Sequence, residues 1–140
     1  MTRFVLDASI VLTWCFPDEE AQKAEKIFET IALGDTPAVP AFWRREVLNA
    51  LLMGEKRKRL TTELIQTFVS DLERLPSEID APAAGTVFHT TLDLCRKHGL
   101  TAYDAAYLEL AVRRGLPLAT LDGALQAAAK AEKVRMISGR

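Results

Sequence analysis

Four acidic side chains carry the chemistry this sequence most readily supports: Asp7, Glu46, Asp104 and Asp122. Asp7 directly follows the apolar run Phe4-Val5-Leu6, and Asp122 directly follows Leu118-Ala119-Thr120-Leu121. Glu46 and Asp104 fall in the first turns of two predicted helices. Two carboxylates about 4 Å apart repel by roughly 4 kcal/mol at an effective dielectric of about 20. Four gathered in one cleft therefore need protons or a cation. With no histidine or cysteine in the set, the preferred cation is hard and oxygen-seeking, Mg2+ or Mn2+ rather than Zn2+. Such an ion activates water and neutralises the charge that develops on a phosphodiester during in-line displacement. The chain offers no serine triad, nucleophilic cysteine or glycine-rich phosphate loop in competition. The residues point to phosphoester hydrolysis.

Each acid has a structural explanation when taken alone. Asp7 stands where it would cap a helix starting near Ser9. Asp104, three residues after Thr101, completes a capping-box-like pair. Asp122-Gly123 is a common turn dipeptide, and Glu46 after Arg44-Arg45 reads as a solvated helix residue. Their joint placement is what favours a site. In an open parallel sheet, ligands bind beyond the carboxyl ends of the strands, where the strand order reverses. Strand ends and the starts of the helices that follow them share that edge, so all four acids are expected at one cleft.

The elements that must position them alternate between strand-like and helix-like, the mark of an α/β domain with a mainly parallel sheet. Strands are expected at Phe4–Leu6, Ala38–Val39 between Pro37 and Pro40, Glu78–Ile79, Leu118–Leu121 and Val134–Ile137. Their apolar character suits a sheet covered on both faces. Helical spacing predicts Ser9–Phe16 stopped at Pro17, Glu19–Leu33 closed by Gly34, and Phe42–Glu55. Further helices are predicted from Thr61 to about Leu75, over Ala83–His98, Thr101–Arg114 and Ala124–Lys133. With no repeat, low-complexity tract or linker, residues 1–140 are expected to form a single domain.

Composition agrees. The chain is 49% hydrophobic and 26% charged, enough for a core and for solubility, which excludes disorder. Its formal net charge of -1 disfavours a binder held by overall charge, so a nucleic acid would need a local basic patch. Cys15 and Cys95 lie far apart in no metal-binding spacing and read as free thiols of a reducing, cytoplasmic compartment. Asp7 interrupts the apolar run after Arg3 too early for a signal peptide, and no stretch is long and apolar enough to span a membrane.

The segments around the acids resemble a known family. Asp7-Ala8-Ser9-Ile10-Val11 resembles the opening motif of PIN domains, and Glu46-Val47-Leu48-Asn49-Ala50-Leu51, with Pro40 upstream, resembles their second. Leu100-Thr101-Ala102-Tyr103-Asp104-Ala105-Ala106-Tyr107-Leu108 resembles the third and is the most specific. Leu118-Ala119-Thr120-Leu121-Asp122 resembles the fourth. The four occur in the family's order across nearly the whole chain, with the strongest likeness to VapC-like toxins of toxin–antitoxin pairs. The resemblance implies a three-layer α/β/α sandwich and an Mg2+-dependent endoribonuclease site. It implies Asp7, Asp104 and Asp122 as metal ligands, the last completing the site or serving a second ion, and Glu46 as the residue that holds water or positions the nucleophile. Ser9, Asn49 and Thr120 would orient carboxylates or contact phosphate. An antitoxin that lays a helix along the surface, and a homodimer, are the partners it implies, with RNA as substrate.

Other residues invite roles and bland explanations side by side. Arg44 and Arg45 stand near the site and are candidate RNA contacts. Lys56-Arg57-Lys58-Arg59 suits the negative pole of a helix end, although a groove for an RNA backbone is the alternative. Arg113 and Arg114 are expected to cap their helix. His89 and His98 fall outside the acidic constellation. Trp14, Phe16, Phe42 and Trp43 offer base stacking, core packing or a groove for a partner helix. Two other functions compete with the nuclease. One is aspartyl-phosphate chemistry at Asp7, as in haloacid dehalogenase-like phosphatases or receiver domains. The first wants an acid where Ser9 stands, and the second a lysine where Asp122 stands. The other is a PIN-like protein-binding scaffold without nuclease activity, against which four intact carboxylates argue.

Overall fold

The structure is a computed structural model that describes residues 2–16 and 21–137. Its centre is a four-stranded, wholly parallel sheet in the order β3-β2-β1-β4, formed by β1 (Arg3–Leu6), β2 (Thr36–Pro40), β3 (Glu78–Asp80) and β4 (Leu118–Ala119). Phe4, Val5 and Leu6 are buried, as expected of a strand with helices on both faces. The chain runs outward from β1 through β2 to β3, and β4 returns to the other flank of β1. The order therefore reverses between β1 and β4.

The helices are α1 (Ala8–Cys15), α2 (Ala21–Ala32), α3 (Trp43–Lys56), α4 (Thr62–Arg74), α5 (Leu92–His98), α6 (Ala102–Arg114) and α7 (Gly123–Ala131). Helix α6 packs on β1, β2 and β4 with α5 and α7 beside it, while α1 packs with α2 and α3. This is the α/β sandwich expected of the sequence. Tyr107, Leu108, Leu110 and Ala111 of α6 are buried, because this helix lies directly on the sheet. None of these helices is long and apolar enough to cross a membrane.

Several boundaries differ from expectation for identifiable reasons. Strand β2 runs through Pro37 and to Pro40 rather than between them. Thr36 N donates to Thr2 O on the β1 side, so the next residue, Pro37, faces β3, whose pairing begins only at Ala38 opposite Glu78. Its missing N–H costs no ladder bond there. Strand β4 stops at Ala119, not Leu121, because the next two residues are committed to the site described below. Instead of a closing strand over Val134–Ile137, a single parallel bridge joins Leu118 to Met136. The helix expected over Ala83–His98 opens into a wide π-type turn at Thr86–Thr91 before α5. Pro17 and Glu19, the predicted stop and start, lie outside the described residues.

Candidate active site

Asp7 leaves β1 at the switch point and is only 5% exposed. It stands at the N-cap of α1 without a side-chain capping bond of ordinary geometry, although the Ser9 N–H favours its charged form. Two hydroxyls donate to the same oxygen instead: Ser9 Oγ at 2.8 Å and Thr120 Oγ1 at 2.5 Å from Oδ2. Thr120 is itself buried and accepts from Asp122 N at 3.0 Å, while Leu121 N donates to Ser9 Oγ at 3.0 Å. These bonds explain why β4 is short. Its continuation spends its N–H groups on the neighbouring turn rather than on a strand ladder. Gln126 Nε2 then donates to the Thr120 carbonyl at 3.0 Å, fixing the segment from behind.

Asp122 is both structural and placed at the site. It caps α7 by accepting Leu125 N on Oδ2 at 2.9 Å. Asp104 sits in the first turn of α6, whose cap is Thr101: its hydroxyl accepts from Asp104 N at 3.1 Å. Glu46 lies in the first turn of α3 and accepts a 2.5 Å bond on Oε1 from the hydroxyl of Tyr107. Tyr107 is one helical turn beyond Asp104 on α6, so one helix supplies an acid and the donor that orients another. Sequence reasoning quoted Tyr107 but gave it no task. Its place three residues after Asp104 was the available signal. Gln126 gave none.

The electrostatics bind the four acids into one set. Burial pushes the Asp7 carboxyl up, against the lowering effect of the Thr120 and Ser9 hydroxyls, and the charge of Asp122 adds to the rise. Burial raises Glu46 as well, opposed by the Tyr107 hydroxyl and assisted by the charges of Asp7 and Asp104. Asp104 is raised by burial and then by Asp122 and Asp7. Asp7 thus lies within the field of all three other acids. Tyr107 is held far above the ordinary phenol range, first by burial and then by its bond to Glu46.

Among the described residues no lysine, arginine or histidine pairs with any of the four. Nor do any three of the Asp, Glu, His and Cys side chains there close into a ready-made metal cage. The donor set still fits a hard divalent cation. It is all oxygen, it carries negative charge with no basic partner among the described residues, and the charges of neighbouring acids add to the raised proton affinity of Asp7, Glu46 and Asp104.

The remaining candidates divide clearly. Ser9 and Thr120 are part of the site. Asn49 is exposed on α3, one turn beyond Glu46. Arg44 lines an apolar pocket with Trp43, Val47, Leu51, Val69 and Leu72, two residues from Glu46 and therefore on another face of α3. Arg45 is exposed. Arg113 and Arg114 do not cap α6 but pair with carboxylates: Arg113 with Glu109 and Asp80, Arg114 with Glu78. The aromatics are dispersed rather than clustered. Trp43 is buried in the core, Trp14 meets Phe28 edge-on, Arg59 stacks over Phe16, and Phe42 packs on Tyr103 and Tyr107 beside the site. Cys15 is buried, its thiol pushed up to about 12, and both cysteines are free.

Known proteins share this fold. Ribonuclease VapC3 of Pyrobaculum aerophilum is 29% identical to the chain over 120 residues, 86% of this chain and 89% of the relative. The crystal structure of PAE2754 from Pyrobaculum aerophilum matches with a TM-score of 0.69 at 22% identity, over 91% of this chain and 87% of that one. That of FitAcB from Neisseria gonorrhoeae matches at 0.65 and 15% identity, over 98% and 96%. The family described as PIN domain matches residues 4–131, a span that holds all four acids and every element that positions them, and the chain belongs to that family.

Proposed function

We propose that this protein is a divalent-metal-dependent endoribonuclease, the toxin of a toxin–antitoxin pair. The supporting observation is the set of carboxylates around Asp7, none of which has a basic counter-charge among the described residues. Burial and then neighbouring acid charge raise the proton affinity of Asp7, Glu46 and Asp104, and Asp122 adds its charge to Asp7 and Asp104. Asp7, Asp104 and Asp122 would hold Mg2+ or Mn2+, which supplies the positive charge that a phosphodiester needs as negative charge builds up on it. Ser9 and Thr120 fix one oxygen of Asp7, leaving the other for the ion. Glu46, oriented by Tyr107 and raised in proton affinity, accepts the proton of the attacking water. Water oxygen bonds to phosphorus as the bond to the leaving ribose oxygen breaks, and that oxygen takes a proton from solvent. The relatedness to ribonuclease VapC3 supports the same reading.

An antitoxin helix fits the apolar groove of about 540 Å3 lined by Trp14, Phe28, Ile31, Phe68, Leu72 and Leu75. The buried indole N–H of Trp14 has no partner among the described residues there. Cleavage of total RNA with Mg2+ or Mn2+, and with chelator, tests the enzymatic reading. Cleavage should stop with chelator and fall by about 10²–10³-fold in Asp7→Asn and Asp104→Asn, the range for losing one electrostatic catalytic group. Folded variants that cut as fast as the parent would refute it.

A further inference from the structure

A second groove, of about 490 Å3, opens beside the carboxylates between α2, α7 and the segment after α7. Thr120 lines it and also donates to Asp7, so groove and acids share a wall. Lys130, Lys133 and Arg135 line its rim, all exposed, and none enters an ion pair among the described residues. Lys23 lines it as well. The acid nearest in sequence, Glu132, is turned away: its carboxylate is taken by Lys97 at 2.8 Å and His98 at 2.7 Å on α5. No acidic side chain lines the groove.

The cations at the ends of α5 and α6 are spent differently, whereas Lys56, Arg57, Lys58 and Arg59 at the end of α3 likewise enter no ion pair among the described residues. Arg113 and Arg114 at the end of α6, and Lys97 and His98 at the end of α5, are consumed by carboxylates. Lys133 is notable in a second way. It closes α7 at φ 61, in the left-handed region, where α5 and α6 are closed by Gly99 and Gly115 at φ 64 and 65. Lys58 after α3 stands in the same region at φ 60, and at either position a side chain is unfavourable for the backbone and glycine would relieve it.

We infer that this groove is a binding subsite for the phosphodiester backbone of RNA flanking the bond cut at the carboxylates. The chain carries a net charge of -1 and an acidic site, so a polyanion reaching that site requires local cations beside it. The groove holds three of them on the lining it shares with Thr120, toward the far end of α7. Apolar Leu121, Val134 and Met136 line it too and suit ribose and base faces. The subsite rests on the nuclease reading for its purpose, but its occupancy can be measured without cleavage.

The test is binding of labelled single-stranded RNA to Asp7→Asn protein across a salt series. Three cations on phosphates contribute about 2 to the slope of log K against log salt, at about 0.7 per contact on single strands. Adding Lys130→Ala, Lys133→Gly and Arg135→Ala should flatten the slope by about that amount. Lys133→Gly alone should flatten it by somewhat under 1, and because glycine relieves the backbone it should melt no lower than the parent. A Lys56→Ala/Arg57→Ala variant at the far end of α3 should keep the parent slope. An unchanged slope in the triple variant, or equal flattening by the α3 variant, would overturn the subsite. So would displacement of RNA by poly-glutamate as effectively as by unlabelled RNA, which would assign the groove to an acidic polypeptide. Failure of the parent to cleave, with RNA still held by this groove, would count against the nuclease reading alone.

Discussion

Asp7 is the residue on which the others converge, and Tyr107 decides how one of them behaves. Its hydroxyl lowers the proton affinity of Glu46 that burial and two neighbouring charges raise. Tyr107→Phe keeps the ring, which packs against Phe42, and removes only that bond. Glu46 should then bind its proton more tightly. If Glu46 must be ionised to accept a proton, the acid limb of the pH–rate profile moves to higher pH, with activity at alkaline pH less affected. A loss of rate equal at all pH values, with the limb unmoved, would show that Tyr107 merely packs. The lost bond, to a charged group, should also cost about 1.5–3 kcal/mol of stability.

At the scale of elements, the beginnings of α3 and α6, together with the turns out of β1 and β4, carry the acids, so small local bonds there have distant consequences. Thr101 caps α6 by accepting from the N–H of Asp104 itself. Thr61 caps α4 in the same way by accepting from Leu64 N at 3.2 Å, away from the carboxylates. Thr101→Ala and Thr61→Ala should each cost about 1 kcal/mol. Only the first should weaken divalent-metal binding, by about tenfold or more, as loss of a group that orients a ligand does. Calorimetric titration of Mn2+ separates them. Equal metal affinities in the two variants would mean that the first turn of α6 does not set the position of Asp104.

For the whole molecule, the acid cluster is a stability penalty that a cation should relieve. Asp7, Glu46 and Asp104 all bind protons more tightly in the folded chain than their ordinary values of 3.8, 4.5 and 3.8 allow. Between those values and the raised ones the native state holds more protons than the unfolded state. Stability therefore falls as pH rises through that window, and the penalty is complete above the raised values. Glu78 and Glu132 are lowered, Glu78 first by Arg3 and Glu132 first by Lys97, so their contributions are lost instead as pH falls below the ordinary range. In chelator at neutral pH, Asp7→Asn should melt above the parent, and the gap should narrow on acidification. Mn2+ at about 100 times its dissociation constant should stabilise the parent by about 2.7 kcal/mol, a rise of several degrees, and Asp7→Asn far less. Thermal melts in which the parent ignores the ion would refute the metal assignment.

The sequence alone determined most of the elements, though not the single bridge at Met136 or the wide turn at Thr86–Thr91, and which edge of the sheet the acids reach, because both follow from local periodicity and from where an acid stands relative to a strand end or helix start. Thr101 was legible as a cap for the same reason, whereas Asp122, read as a turn residue, proved to cap α7. Only the tertiary structure decided how those residues are partnered. That Thr120 donates to Asp7 across 113 positions of chain, that Tyr107 serves Glu46 and that Glu132 turns toward Lys97 and His98 of α5 depends on side chains from separate elements meeting in space. Such meetings leave no period in the sequence, since hydrogen bonds and ion pairs at this range are set by how helices pack on the sheet.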